Sequence, residues 1–168
     1  MDESAFEEFY ESTKKRFWLY VFRITGDTSV TDDVFQDSYI RFLQHPPREK
    51  DQNTMNAYLY RIAVNLLHDH WRKEKRKRIW TSEERIAVRT GLPADHMALH
   101  HDIGAAFRQL TPRQRSVLWL AYVDEYDHGE IARILGLREG SIKVLLFRAK
   151  QKLRHIFKSL GITPEVNL

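Results

Sequence analysis

From Arg72 to Arg78 the sequence reads Arg-Lys-Glu-Lys-Arg-Lys-Arg, with Glu74 the single interruption in a run of cations. Guanidinium and ammonium groups at this density repel one another. The chemistry that relieves them is ion pairing with a polyanion, phosphate above all. The plainer reading of such a run is a solvated helix face. Tyr58, Tyr60, Trp71 and Trp80 lie close to it in sequence, and flat rings beside cations fit unstacked bases. Tyr58 and Trp71 also fall on an apolar stripe, which assigns them to a core first. A second basic stretch, 138–158, holds Lys143, Arg148, Lys150, Lys152 and Arg154. Two separated basic segments fit two contacts with one polyanion. No nucleophile–base pair, glycine-rich phosphate loop or spaced carboxylate pair stands out, so no enzyme is expected.

Metal chemistry has one opening. His68, His70, His96, His100 and His101 cluster in the middle of the chain, and His96 and His100 are four apart, as helix ligands would be. There is no cysteine, which excludes disulfides and thiolate metal sites. The surroundings of these histidines are mixed and polar, so they read as linker residues, and no metal or cofactor is expected. The 168 residues are 42% hydrophobic and 30% charged with a formal net charge of +4, the profile of a globular chain of one ordinary or two small domains. No apolar run approaches the roughly 18 residues of a membrane span. The N-terminus carries Asp2, Glu3, Glu7, Glu8 and Glu11 and lacks the basic and apolar regions of a signal peptide. The expectation is a cytoplasmic protein with no membrane insertion.

The elements that must position the basic segments are helices, and no alternating strand pattern is found. Met55, Tyr58, Leu59, Ile62, Ala63, Leu66, Leu67 and Trp71 recur at three- and four-residue steps, one stripe down a helix over 55–78 with Thr54 as its cap. Arg61, Asn65, Asp69 and Arg72 fall on the other side. Before it, Phe6, Phe9, Tyr10, Thr13, Phe17, Leu19, Tyr20 and Ile24 predict a first helix closed by Gly26. A second, capped by Thr28 or Thr31, runs to Gln44 and is stopped by His45-Pro46-Pro47. On it Val34, Phe35, Ser38, Tyr39, Phe42 and Leu43 face one way, and Asp33, Gln36, Asp37, Ile40 and Arg41 the other. An exposed Ile40 ringed by polar groups fits a protein interface with an apolar centre. Residues 48–53 read as a polar loop.

From Ile79 to about Gly104 the periodicity dissolves around Gly91 and Pro93, as in a linker. Thr111-Pro112-Arg113-Gln114 then opens a helix with a capping box and proline at the first helical position. Val117, Leu118, Ala121 and Tyr122 continue its stripe. A short helix over 129–135 is followed by a turn at Gly136 and a third helix over about 139–160, ended by Gly161 and Pro164. This is helix-turn-helix spacing: small Ala132 permits a close crossing, and Ile131, Leu135, Ile142 and Leu146 join the pair. Ile142, Leu146, Ala149, Leu153 and Ile156 form the inward stripe of the third helix. Lys143, Val144, Phe147, Arg148 and Gln151 point outward. The fold expected is all-α, with two small helical domains over 1–78 and 105–160, a flexible linker over 79–104 and a tail over 161–168.

These residues together resemble the bacterial extracytoplasmic-function sigma factors of the sigma-70 family, over about 31–78 and 108–157 and more weakly over 5–30. Asp33-Val34-Phe35-Gln36-Asp37-Ser38-Tyr39-Ile40-Arg41-Phe42 is similar to the family's core-polymerase-binding helix. Tyr58-Leu59-Tyr60-Arg61-Ile62-Ala63-Val64-Asn65, then Asp69, resembles the regions that open and read the minus-ten promoter element. Leu110-Thr111-Pro112-Arg113-Gln114-Arg115 opens what resembles region 4, and Gly140-Ser141-Ile142-Lys143 with Phe147-Arg148-Ala149 matches its recognition helix for the minus-thirty-five element. The resemblance implies a two-domain promoter-recognition subunit of RNA polymerase. It places core-polymerase contacts at Asp33, Gln36, Asp37, Ile40 and Arg41. Promoter DNA contacts fall at Arg61, Asn65, Arg72, Lys73, Lys75, Arg76, Ser141, Lys143, Val144, Phe147 and Arg148. It also implies an anti-sigma factor as a partner.

Two departures stand out. After Lys143 the family usually has serine then arginine, where this chain has Val144 and Leu145; a valine touches a thymine methyl but cannot hydrogen-bond a base edge. The linker is only mildly acidic, with Glu83, Glu84, Asp95 and Asp102 against Arg85 and Arg89, a weak imitation of nucleic acid. The alternatives are a free-standing helix-turn-helix regulator and an interaction protein that uses Val144 and Phe147 to bind a partner.

Overall fold

The computed structural model describes residues 2–49, 51–80 and 104–161, with the side chains of its longest helix described as far as Arg76. Among them there is no strand, and the chain divides into two units, 1–90 and 91–168. His96, His100 and His101, the acidic linker residues and Pro164 lie outside the described residues, as does the side chain of Trp80. Among the described residues no histidine, aspartate or glutamate cluster could hold a metal ion, and no helix is long and apolar enough to cross a membrane.

The first unit is built from α1 (Glu3–Thr25), α2 (Thr28–Gln44) and α3 (Gln52–Trp80). Asp2 caps α1 by accepting the Ala5 N–H at 2.8 Å, and Gly26 ends it at φ 70, a conformation that only glycine adopts without cost. The cap of α2 is Asp27, which accepts the Val30 N–H at 3.0 Å, and not the expected threonines. Thr28 is already helical. Thr31 is buried and donates back to the Asp27 carbonyl at 2.6 Å. The same shift occurs at α3, where Asp51 accepts the Thr54 N–H at 2.9 Å and starts the helix three residues before Met55. The hydroxyl and backbone N–H of Thr54 hold the Asp51 carboxyl below the ordinary carboxylate value. In each case a carboxylate upstream outcompetes the hydroxyl, since it is a stronger acceptor for the orphan N–H groups.

Aromatic rings fill the space between these helices. Phe9 stacks on Phe42 with centroids 4.8 Å apart, and the Tyr39 ring meets Tyr10 at 4.9 Å, Phe35 at 5.0 Å and Phe17 at 5.5 Å. Tyr60 joins them from α3, 4.6 Å from Tyr20 and 5.4 Å from Phe17. Tyr60 is thus core, as are Tyr20, Phe17 and Phe42, each such ring contributing about 1.5–3 kcal/mol by leaving water. Thr13 and Tyr39 form a satisfied polar pair among them. Thr13 Oγ1 donates to the Phe9 carbonyl at 2.7 Å, which leaves it to accept from Tyr39 OH at 2.7 Å.

The second unit contains a helical segment at 104–108, then α4 (Pro112–Tyr122), α5 (His128–Leu135) and α6 (Glu139–Ser159). The capping box at α4 forms as its spacing predicts, with the Gln114 N–H on Thr111 Oγ1 at 3.3 Å and the Thr111 N–H on Gln114 Oε1 at 3.0 Å. A second box, Asp127 with Glu130, starts α5 at 2.8 and 2.9 Å. Gly136 at φ 64 ends α5, its N–H and that of Leu137 both closing on the Ala132 carbonyl. The expected inward stripe of α6, Ile142, Leu146, Ala149, Leu153 and Ile156, is buried throughout, as are Ile131, Ala132, Leu135 and Val117 opposite it. Tyr122 departs from its expected place on the α4 stripe and is exposed. It receives the Lys150 ammonium 4.7 Å from its ring centroid instead, a cation–π contact tying α4 to α6.

Candidate nucleic-acid interface

Between Leu59 and Leu67, α3 buries every residue except Arg61 and Asn65. Its buried sector is wider than the sequence stripe because Tyr60 and Val64 turn inward as well. What remains is a narrow polar line, Arg61, Asn65, Asp69, Arg72 and Arg76, at steps of four, four, three and four residues, all exposed. Lys73 and Lys75 flank it, also exposed. Asp69 lies 3.8 Å from an Arg72 guanidinium nitrogen, and Arg76 Nε donates to the Arg72 carbonyl at 3.4 Å. These contacts hold the arginines along the helix without burying them. Tyr58 and Trp71 are half-buried at the edge of this face, with Trp71 6.2 Å from the His68 ring.

On α2 the five residues expected at a protein interface, Asp33, Gln36, Asp37, Ile40 and Arg41, are all exposed on one side, with Ile40 at 52%. Leu43 is a correction. Expected on the inward side, it is exposed, because it falls two full turns after Gln36 and so shares that residue's line. The seven-residue spacing was available in the sequence, and it makes the apolar centre a pair, Ile40 with Leu43. Tyr39, inside the same motif, belongs to the core. Burial raises its phenol pKa far above the ordinary tyrosine value, against the opposing hydrogen bond of Thr13.

On α6, Ser141, Lys143, Val144, Phe147, Arg148 and Gln151 are all exposed. Lys150 is drawn aside by Tyr122 and is half-buried, while Lys152 and Arg154 stay outside. Leu145 is half-buried, flanking the core as its helical phase predicts. Arg115, part of the α4 motif, turns inward to donate from Nε to the Leu110 carbonyl at 3.1 Å; burial, then the charge of Arg108, lower its pKa. Its work is structural. The structure thus collects Arg61, Asn65, Arg72 and Arg76 on one face of α3, and Ser141, Lys143, Val144, Phe147 and Arg148 along the outward side of α6.

A helical bundle with a long basic helix, followed in the chain by a helix-turn-helix with a basic outward face, defines a two-part DNA-binding protein. Residues 9–77 match the sigma-70 region 2 family, and residues 100–153 match the sigma-70, region 4 family. The chain is 28% identical over 158 residues to the ECF RNA polymerase sigma factor SigL of Mycobacterium tuberculosis, covering 92% of this chain and 89% of the relative. It is 26% identical over 172 residues to the ECF RNA polymerase sigma factor SigW of Bacillus subtilis, covering 95% and 92%. Its fold is shared with the sigma factor RpoE solved in complex with the anti-sigma factor NepR from Bartonella quintana (TM-score 0.77, 20% identity, 91% and 96% of the two chains). It is also shared with CnrH in complex with the cytosolic domain of CnrY (TM-score 0.66, 18% identity, 94% and 90%). The chain belongs to the sigma-70 family, in its extracytoplasmic-function group.

Proposed function

We propose that this chain directs bacterial RNA polymerase to particular promoters, as a dissociable subunit that performs no bond chemistry of its own. The observation that carries this is the succession of region 2 and region 4 matches along one chain with the two basic faces they contain. In this reading the outward side of α2, with Ile40 among Asp33, Gln36, Asp37 and Arg41 and Leu43 one turn further on, docks on core polymerase. The line from Arg61 to Arg76 on α3 lies along the minus-ten element and helps to hold it open. The outward side of α6 enters the major groove of the minus-thirty-five element. The grip on polymerase offsets the cost of unstacking promoter bases. The sigma factor RpoE that shares this fold was solved in complex with the anti-sigma factor NepR, and a partner of that kind is the expected regulator here. The protein works where the polymerase does, in the cytoplasm.

The test is capture of core polymerase followed by run-off transcription. Asp37→Arg with Ile40→Glu should abolish capture and transcription while leaving the circular dichroism of the helices unchanged, since both side chains are exposed. Undiminished capture by that double variant removes α2 from the polymerase interface.

A further inference from the structure

The outward side of α6 is unusual in what stands at its centre. Phe147 is 62% exposed and Val144 48%, an i, i+3 pair forming one apolar patch. Around it are Lys143, Arg148 and Gln151, and from Gly140 to Ser159 the helix has no carboxylate at all. Val144 has no atom that can donate or accept a hydrogen bond, so it cannot read the polar edge of a base. A rim of cations and a neutral amide, with no carboxylate, favours a polyanion over a protein as the occupant. Within the major groove, the apolar group that a base offers is the C5 methyl of thymine. Three residues of helix advance about 4.5 Å along its axis, against about 3.4 Å per base step, so the two side chains address neighbouring base pairs.

We propose that Val144 and Phe147 make this chain select thymine at neighbouring positions of the minus-thirty-five element through contact with the C5 methyl groups, while Lys143 and Arg148 hold the flanking backbone or a guanine edge. This rests on the reading of α6 as the minus-thirty-five reader. It assigns sequence selection at those positions to methyl burial instead of hydrogen bonds.

The experiment uses the full chain assembled with core polymerase. Promoter duplexes randomised in the minus-thirty-five element are selected for binding. Each thymine of the recovered sequence is then replaced singly by deoxyuridine, which removes the methyl and leaves every hydrogen-bonding edge intact. At two neighbouring positions the replacement should weaken binding about fourfold, the worth of one buried methyl. Val144→Ser should lose that sensitivity at one position and keep it at the other, and its exposed site makes misfolding no explanation. A selected element without neighbouring thymines overturns the proposal, as does a Val144→Ser variant with the full deoxyuridine penalty at both positions. If deoxyuridine costs nothing while Arg148→Ala still weakens binding about tenfold, methyl readout falls and DNA reading by α6 stands. If neither change matters, both fall.

Discussion

Tyr39 sits inside the motif that resembles a polymerase-binding helix, yet its hydroxyl is committed to Thr13 at 2.7 Å in a buried ring cluster. The two partners of this hydrogen bond are not equivalent. Tyr39→Phe leaves Thr13 still donating to the Phe9 carbonyl, so the expected cost is about 1 kcal/mol. Thr13→Val keeps the shape but strands the tyrosine hydroxyl, and should cost more, about 1–3 kcal/mol. Chemical denaturation of the two variants orders them. The same phenol sets an alkaline limit. Its folded pKa is raised, so its contribution is intact below the ordinary value of 10.0 and is lost as pH climbs above it, where the unfolded chain releases the proton and the folded chain retains it. Tyr39→Phe should flatten that fall in stability.

Helix ends are where sequence reading and structure agree least evenly, and the reason is local competition for the same N–H groups. The Thr111–Gln114 box was readable because Pro112 fixes the start and no acid precedes it nearby. The α2 and α3 starts were misplaced because Asp27 and Asp51, each just upstream of a threonine, are the better acceptors. The Asp127–Glu130 box was missed for the opposite reason: His128 and Gly129 carry no apolar periodicity to mark a first turn. Thr111→Ala and Asp127→Ala should each lower stability by about 0.5–2 kcal/mol. Thermal unfolding of the full chain measures both, and an unchanged midpoint in either variant would remove that box from the account. Interiors were read better than ends. The α6 stripe is buried residue for residue, since a 21-residue helix samples its period many times over. Leu43 faces outward in phase with Gln36, two turns before it, whereas Tyr122, in the last turn of its helix, has fewer packing partners to hold it inward.

For the molecule as a whole, charge is distributed as two separate basic faces, and salt should reveal how many phosphates they meet. Each phosphate contact steepens the dependence of log affinity on log salt by about 0.9 for duplex and about 0.7 for single strand. Replacing Arg72, Lys73, Lys75 and Arg76 by glutamine should therefore flatten the slope for holoenzyme–promoter binding by about 3. A slope that does not move returns this run to a solvated helix face. The two-part organisation and the all-α class were readable because helical period and capping signals recur on both sides of a stretch that has neither. The side-chain pairings that set each face, Lys150 with Tyr122 and Arg115 with the Leu110 carbonyl, were not, since they join residues whose spacing carries no helical signal of contact.

The turn between α1 and α2 is two residues long, and both are occupied. Gly26 closes one helix at positive φ, Asp27 opens the next, and Thr25 and Thr31 lock hydroxyls 2.7 Å apart across them. There is no spare residue in this corner. Residues 46–49, a mostly exposed bend after Gln44, should tolerate a change of length, but one residue gained or lost at 26–27 dismantles two helix ends together. The corner is the place where alignment gaps should not fall, and the bend is where a tag or a spliced peptide can be carried.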